Sequence, residues 1–422
     1  MNHPIHVVFF NRAFYPEISG TSQFLTELAE DLVRVHGCRV SIVAGQPIGV
    51  REDAWSPPKG WGLVQEEQYH GVSVLRGWNT SLDKHSFLGR ALNYLSYCFS
   101  ACLAAFRLPR PDIIVTLTDP PIIGWVALLA SKWFRCPLVV WYQDLFPEVA
   151  RLLNRPISPL VEWVLNRTNQ VLIRQAARVV ALGPAMRKRL VEEKGVAPER
   201  LCVFPVWSDC KAVVPGPRRN AFSERHDLVD AFVVMYSGNV GTSQELAALV
   251  EAAALLKDID DLVVLIVGDG VQKVALQAQV EQRKLGNVRF LPYQPAEHLG
   301  EAFASADCFV ISLKAGLEGY IMPSKLFGVL ASGRPFVGAV ADGCDVAGVV
   351  RRYNCGFLAE PGNPQALAEK VRLLYEDRDL LKQFGINARK AALDFDRPIG
   401  VRRYFELFKE LAKDDGDLCA AS

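Results

Sequence analysis

The chain has 422 residues, of which 50% are hydrophobic and 22% are charged, so it can form two or three packed domains and is not a long disordered protein. With 47 basic and 46 acidic residues its formal net charge is +1, and we expect no nucleic-acid partner. The ten cysteines show neither CxxC nor zinc-ligand spacing, which favours a reducing, cytoplasmic location. We expect no signal peptide and no membrane-spanning helix.

The first half alternates between short apolar runs and one-sided helical patterns. Residues 5–10 predict a buried strand, 22–36 a helix and 39–43 a second strand, which is a βαβ unit. Further apolar runs predict strands at 112–116, 137–141, 177–182 and 201–205.

The alternation stops after Trp207 and restarts at Phe232. The intervening run is rich in proline and arginine, as exposed connectors often are. We therefore predict an α/β protein with two doubly wound Rossmann-like domains that face each other across a cleft. The predicted boundaries are 1–206, a linker at 207–231, a second domain at 232–396, and a final helix at 397–422 that crosses back to the first domain.

Glycine-rich loops follow two predicted strands of the second half. The loop 237–243 contains Gly238, Asn239 and Gly241, and the loop 268–270 contains Gly268 and Asp269. Glycines allow a phosphate to approach the backbone, and a helix N-terminus favours an anion. The same loops are equally compatible with plain turns, with Thr242 or Ser243 capping the next helix.

A third loop, 313–328, leads from a strand into a helix. Pro323 and Ser324 suit the start of that helix, and Lys325 would lie in its first turn. A lysine there opposes the helix dipole, so its position is easier to explain if it faces a diphosphate than if it points to water.

In the first half, two loops after strands carry polar candidates. Gly20 and Thr21 precede a predicted helix and could border a phosphate or a sugar ring. Gln143 and Asp144 follow the strand 137–141, where Asp144 could contact an acceptor hydroxyl or instead cap the next helix.

These motifs, taken in order, resemble those of the GT-B-fold retaining glycosyltransferases of family 4, especially members of the colanic acid type that build bacterial exopolysaccharide and O-antigen units. The resemblance covers residues 5–411 and is carried by 142–148, 236–239, 268–270, 288–291, 323–327 and 331–335.

The resemblance implies a nucleotide-sugar donor site in the second domain and an acceptor site in the first. The implied donor contacts are Gly238, Asn239, Gly241, Gly268, Asp269, Pro292, Tyr293, Gly319, Ser324 and Lys325; those of the acceptor are Gly20, Thr21, Gln143 and Asp144. The implied catalytic residues are Lys325, Asp144 and Glu318. The chain departs from the family pattern at Gly328 and Tyr320, where many relatives have a pair of glutamates.

The implied function is sugar transfer from a nucleotide diphosphate sugar to a polyprenyl-diphosphate-linked or other glycan acceptor, with retention and without a metal or other cofactor. The apolar stripe at 85–110, flanked by arginines, indicates either contact with the inner face of the cell membrane or a core helix. Two other functions fit the same fold: a sugar-nucleotide epimerase, and a catalytically silent nucleotide-sugar-binding subunit.

Overall fold

The structure is a computed structural model that describes residues 3–17, 19–47, 62–82, 87–155 and 157–420. It divides into two compact units. Unit 1 comprises residues 1–151, 156–205 and 400–422, and unit 2 comprises residues 152–155 and 206–399.

Unit 1 contains an eight-stranded sheet in its described residues, in the order β3-β4-β2-β1-β5-β6-β7-β8. The strands are β1 His6–Phe10, β2 Arg39–Gly45, β3 Val64–Tyr69, β4 Val72–Gly77, β5 Ile113–Thr116, β6 Leu138–Trp141, β7 Arg178–Ala181 and β8 Leu201–Val203. Its helices are α1 Gly20–Arg34, α2 Phe87–Ala105, α3 Gly124–Phe134, α4 Glu148–Leu152, α5 Pro159–Gln175, α6 Pro184–Glu192 and most of α15 Arg397–Ala420.

Unit 2 contains a six-stranded, fully parallel sheet in the order β11-β10-β9-β12-β13-β14. The strands are β9 Phe232–Ser237, β10 Leu262–Val267, β11 Val288–Leu291, β12 Cys308–Ser312, β13 Phe336–Ala339 and β14 Gly356–Ala359. The helices are α7 Ala221–Arg225, α8 Ala247–Leu255, α9 Lys273–Gln282, α10 Leu299–Ala304, α11 Lys325–Ala331, α12 Asp345–Tyr353, α13 Pro364–Glu376 and α14 Arg378–Asp394.

Continuous apolar strands explain both sheets. Every residue of β1, β5, β6, β10 and β12 is buried, as expected for parallel strands with both faces covered. The predicted pair of doubly wound Rossmann-like units is confirmed. The hairpin β3–β4 is antiparallel and stands at the edge of the first sheet.

One predicted segment differs from the division in the structure. The segment 207–231, interpreted above as a linker, lies within unit 2 and includes α7. There Asn220 caps α7 by accepting hydrogen bonds from the N–H groups of Phe222 and Ser223, so this segment is folded. Residues 400–422 of α15 belong to unit 1, where Tyr404 packs against Trp141 and Phe204.

Candidate functional site

Each sheet has a strand at which the order reverses. In unit 2, β9 lies between β10 and β12, and in unit 1, β1 lies between β2 and β5. Ligands of doubly wound sheets bind beyond the carboxyl ends of the strands at such a point. The loops after β9, β10 and β12, and those after β1, β5 and β6, therefore define the candidate sites.

The loops after β9 and β10 pack backbone to backbone. An added Cβ on Gly268 would lie 2.0 Å from the carbonyl oxygen of Gly238, and one on Gly270 would lie 2.4 Å from that of Val240. Both residues have positive φ angles of 146° and 156°. The N–H of Val240 also donates to the carbonyl of Asp269 (2.8 Å). Only glycine fits at these two positions, and the two sequence-predicted loops form one surface.

The Lys325 side chain lies against the first of these loops, at Gly238. An added Cβ on Gly238 would lie 2.7 Å from Cε of Lys325. The Nζ atom donates a hydrogen bond to the Tyr236 hydroxyl (2.6 Å) and lies 4.5 Å from the centre of that ring. Tyr236 in turn donates to the carbonyl oxygen of Asn239 (2.6 Å). Lys325 is thus held against the loop instead of extending into solvent.

In the part of the chain that the structure describes, no carboxylate balances the charge of Lys325. It forms no ion pair with the residues the structure describes, and burial lowers its pKa to about 7. Desolvation of an ammonium disfavours its charged form unless an anion approaches. The arrangement therefore favours binding of a phosphate group beside Gly238.

The loop after β12 joins the same surface. The N–H of Lys314 donates to the carbonyl oxygen of Ser243 (2.8 Å), which ties this loop to the loop after β9. Glu318 accepts a hydrogen bond from the N–H of Gly316 (2.9 Å), and Gly319 is buried with a φ of 79°. The structure thus brings Glu318 and Gly319 into the loop set that contains Gly238 and Lys325.

The capping of α8 by Thr242 or Ser243, offered above as an alternative, is not observed. The helix begins at Ala247 after Leu246, and neither Thr242 nor Ser243 caps it. Residues between Gly241 and Leu246 instead form a turn in which the Gln244 side chain accepts from the N–H of Gly241 (3.1 Å). The α11 start is as predicted, with Ser324 at the N-cap and Lys325 as the first helical residue.

Pro292 and Tyr293 follow β11 at the same end of the sheet. Tyr293 is 51% exposed, and its hydroxyl donates to the carbonyl oxygen of Asp269 (3.3 Å). This contact brings the loop after β11 to the loop after β10. The exposed ring leaves an aromatic face open beside the glycine loops.

Gly328 lies on α11 against an aromatic ring. An added Cβ there would approach Cε2 of Phe303, on α10, to 3.1 Å. Phe303 also packs edge-on against Phe309 of β12. Packing therefore favours glycine at this position, because a side chain there would require the Phe303 ring to shift slightly.

In unit 1, the loop after β1 holds a half-buried ion cluster. Arg12 donates to both carboxylate oxygens of Glu17 (3.0 and 2.9 Å) and to Asp119, which follows β5 (3.0 Å). Burial by itself would lower the pKa of Arg12, but Asp119 and Glu17 raise it above its ordinary value. Burial raises the pKa of Asp119 against the opposing effect of Arg12.

Gln143 and Asp144 lie at the end of β6, next to this cluster in the sheet order. Burial and the nearby charge of Asp119 raise the pKa of Asp144 to about 6. Within the described residues, the buried Gln143 Nε2 and Asn11 Oδ1 atoms have no hydrogen-bond partner. Buried polar atoms of this kind are costly unless a ligand or water meets them. Helix α4 begins at Glu148, so Asp144 is not its N-cap.

Gly20 and Thr21 form the first turn of α1. Ser19 caps the helix by accepting from the N–H of Ser22 (3.2 Å). Gly20 is exposed and Thr21 is half-buried. Both lie at the start of the helix that follows the β1 loop.

Four residues at these two sites were not singled out from the sequence. In the sequence, Tyr236 has the pattern of a core aromatic residue in a strand. Arg12, Glu17 and Asp119 are polar residues of separate loop segments. The only available signal was their position just at or beyond the ends of apolar strands.

Models of two protein families match the chain: the glycosyl transferase 4-like domain over residues 19–207 and the glycosyl transferases group 1 over residues 218–391. One similar protein is the colanic acid biosynthesis glycosyl transferase WcaI of Escherichia coli (strain K12). It is 27% identical over 76% of this chain and 79% of that protein. Another is the N,N'-diacetylbacillosaminyl-diphospho-undecaprenol alpha-1,3-N-acetylgalactosaminyltransferase of Campylobacter jejuni, 23% identical over 68% of this chain and 74% of that protein.

Among solved structures, Anabaena Alr3699/HepE in complex with UDP has a TM-score of 0.73 at 18% identity and covers 96% of this chain and 100% of its own. The two family models together span both units, and the neighbouring fold agrees with the paired sheets described above. The chain belongs to the GT-B-fold glycosyltransferases, with a 4-like domain at 19–207 and a group 1 domain at 218–391.

Proposed function

We propose that this glycosyltransferase moves a sugar from a nucleotide diphosphate sugar, bound by unit 2, to a lipid-linked glycan acceptor held by unit 1. The reaction would belong to bacterial surface polysaccharide biosynthesis at the cytoplasmic face of the membrane. The relative named for a diphospho-undecaprenol acceptor and the one named for colanic acid support this choice. The observation that carries the proposal is the Lys325 side chain, which contacts the glycine loop at Gly238 and has no carboxylate partner among the described residues.

In the proposed reaction, the bond between the anomeric carbon and the phosphate oxygen breaks while the acceptor oxygen bonds to the same carbon. The acceptor proton passes to the departing phosphate, and the configuration at the anomeric carbon is retained. Negative charge grows on the diphosphate as it leaves, and a positioned lysine and backbone N–H groups stabilise such charge. We propose that Lys325 supplies this stabilisation without a metal ion.

On the acceptor side, we assign Asp144 and Gln143 to the binding of acceptor hydroxyls. A carboxylate accepts hydrogen bonds from hydroxyl groups, and the buried Gln143 amide would donate one. Glu318 and Gly319 would lie by the donor sugar, and Pro292 and Tyr293 by the base. Asn239, Gly241, Gly268, Asp269 and Ser324 complete the proposed donor contacts.

A thermal-shift screen against UDP-, GDP- and dTDP-sugars tests the donor site. A true donor at about 100 times its Kd should add about 2.7 kcal/mol to the free energy of unfolding. Lys325→Ala should remove most of this gain, whereas Lys257→Ala, an exposed lysine of unit 2, should keep it. If no nucleotide sugar stabilises the protein, or if Lys325→Ala is stabilised equally, the assignment is wrong.

A further inference from the structure

Helix α2 of unit 1 is apolar on the side that faces away from the sheet. Its inner side is buried through Tyr97, Ala101 and Ala104. Its outer side exposes Leu88, Leu92, Leu95 and Phe99 at helical spacing, and Phe106, directly after the helix, is exposed as well. His85, where the stripe was predicted to begin, lies outside the described residues. The stripe therefore faces outward from unit 1 and is not part of its core.

Two neighbouring helices extend this exposed surface. Helix α3 exposes Leu129 (64%) and Trp133 (71%), and α5 exposes Leu160 and Trp163 (64%). The rings of Phe106 and Trp133 meet edge to face with centroids 5.9 Å apart, and Trp125 of α3 donates to Thr168 of α5 (2.8 Å). The outward faces of α2, α3 and α5 are thus one continuous surface, hereafter the three-helix surface.

The charges of these helices have one dominant sign. Helices α2 and α3 contain no aspartate or glutamate, and five basic residues lie between positions 87 and 135: Arg90, Arg107, Arg110, Lys132 and Arg135. The two acidic residues of that segment are already engaged, Asp112 with the N–H of His6 and Asp119 with Arg12. On α5, Glu162 pairs with Arg151 (3.5 Å), and Arg167 continues the exposed face.

We propose that the three-helix surface docks unit 1 on a bilayer that contains anionic lipids. Exposed tryptophan, leucine and phenylalanine side chains with a basic surround suit the interface between headgroups and acyl chains. Within the described part of the chain, no helix is long and apolar enough to cross a bilayer, so the surface would lie on the membrane. The choice of a bilayer as the occupant rests on the lipid-linked acceptor proposed above.

Cosedimentation with vesicles tests this inference on the full chain. Wild-type protein should bind phosphatidylglycerol-containing vesicles more strongly than pure phosphatidylcholine vesicles, and added salt should reduce the difference. The double variant Leu129→Glu/Trp133→Glu should bind the anionic vesicles at least about tenfold more weakly. Both side chains are exposed, so the variant should fold like wild type.

The matched control is Ile386→Glu/Leu393→Glu, two exposed apolar residues of α14 in unit 2. This control should bind vesicles like wild type. The inference is overturned if wild type ignores anionic vesicles, if the α3 variant binds them equally, or if that variant loses only a self-association seen by light scattering. Nucleotide-sugar thermal shifts of the α3 variant test the proposed function separately, because they need no lipid.

Discussion

We expect Lys325 to gain a proton when a diphosphate binds at the proposed donor site. Burial lowers its pKa to about 7, and no described carboxylate offsets that effect. The group is charged below this pKa and neutral above it in the free protein. A bound diphosphate would stabilise the cation and raise the pKa again, so binding is coupled to proton uptake.

We expect the affinity for UDP to fall as the pH rises above about 7, by up to about tenfold per pH unit. Calorimetry at pH 8 in buffers of different ionisation enthalpy should show proton uptake by wild type and much less by Lys325→Met. The same variant should be more stable than wild type, most of all below about pH 7, where the folded protein must hold a desolvated ammonium; the gain should shrink as the pH rises from about 7 toward the ordinary lysine pKa. Equal proton uptake by both proteins would rule out this role of Lys325.

In unit 1, one candidate site residue with a shifted pKa is Asp144. Its pKa of about 6 has two causes, burial and the charge of Asp119, so the carboxylate form dominates only above about pH 6. If the carboxylate holds the acceptor hydroxyl, kcat/KM should rise between about pH 5 and 7.

Asp144→Asn should lower kcat/KM about 100-fold and abolish this rise. Asp119→Asn removes one cause of the raised pKa and should move the rise to lower pH. A pH–rate profile of each variant checks both statements. An unchanged profile for Asp144→Asn would assign the titration to another group.

At the scale of strands and their connecting loops, close backbone contacts fix the glycine loops after β9 and β10. Gly268 combines a φ of 146° with an added Cβ only 2.0 Å from the carbonyl oxygen of Gly238. Gly286, in the same unit, has open space around an added Cβ. The two positions form a matched pair for testing the loop geometry.

Gly268→Ala should lower the free energy of unfolding by about 1–3 kcal/mol and weaken nucleotide binding, because the two loops must separate. Gly286→Ala should change it by less than about 0.5 kcal/mol. Urea denaturation gives both values. Equal midpoints for the two variants would mean that the loops do not pack as described.

The elements that the sequence predicts best are continuous apolar strands. One edge of each sheet was harder: β3 is mostly polar with Val64 as its only buried residue, and the short β14 begins with glycine. Neither was predicted, since an edge strand does not form a long apolar run. Thr242 and Ser243 fit the pattern of a helix cap, but α8 begins only at Ala247, and the Gln244 side chain instead closes the turn at Gly241.

For the whole molecule, the sequence predicts two Rossmann-like units and the loops to which we assign the proposed donor site. It does not predict side-chain partners that depend on long-range packing. Lys325 and Tyr236 are 89 positions apart, and Arg12 and Asp119 are 107 apart. Such contacts form only after the strands have assembled, so no local pattern encodes them.

We propose that the protein transfers a sugar from a nucleotide diphosphate sugar to a lipid-linked acceptor. The most direct test of this transfer is mass spectrometry of the lipid fraction after purified protein is incubated with nucleotide sugars and polyprenyl-diphosphate-linked glycans. We predict an acceptor mass increased by one glycosyl unit with wild type, and at least about 100-fold less product with Lys325→Ala. A changed nucleotide sugar without acceptor modification, or donor binding with neither product nor hydrolysis, would contradict this account.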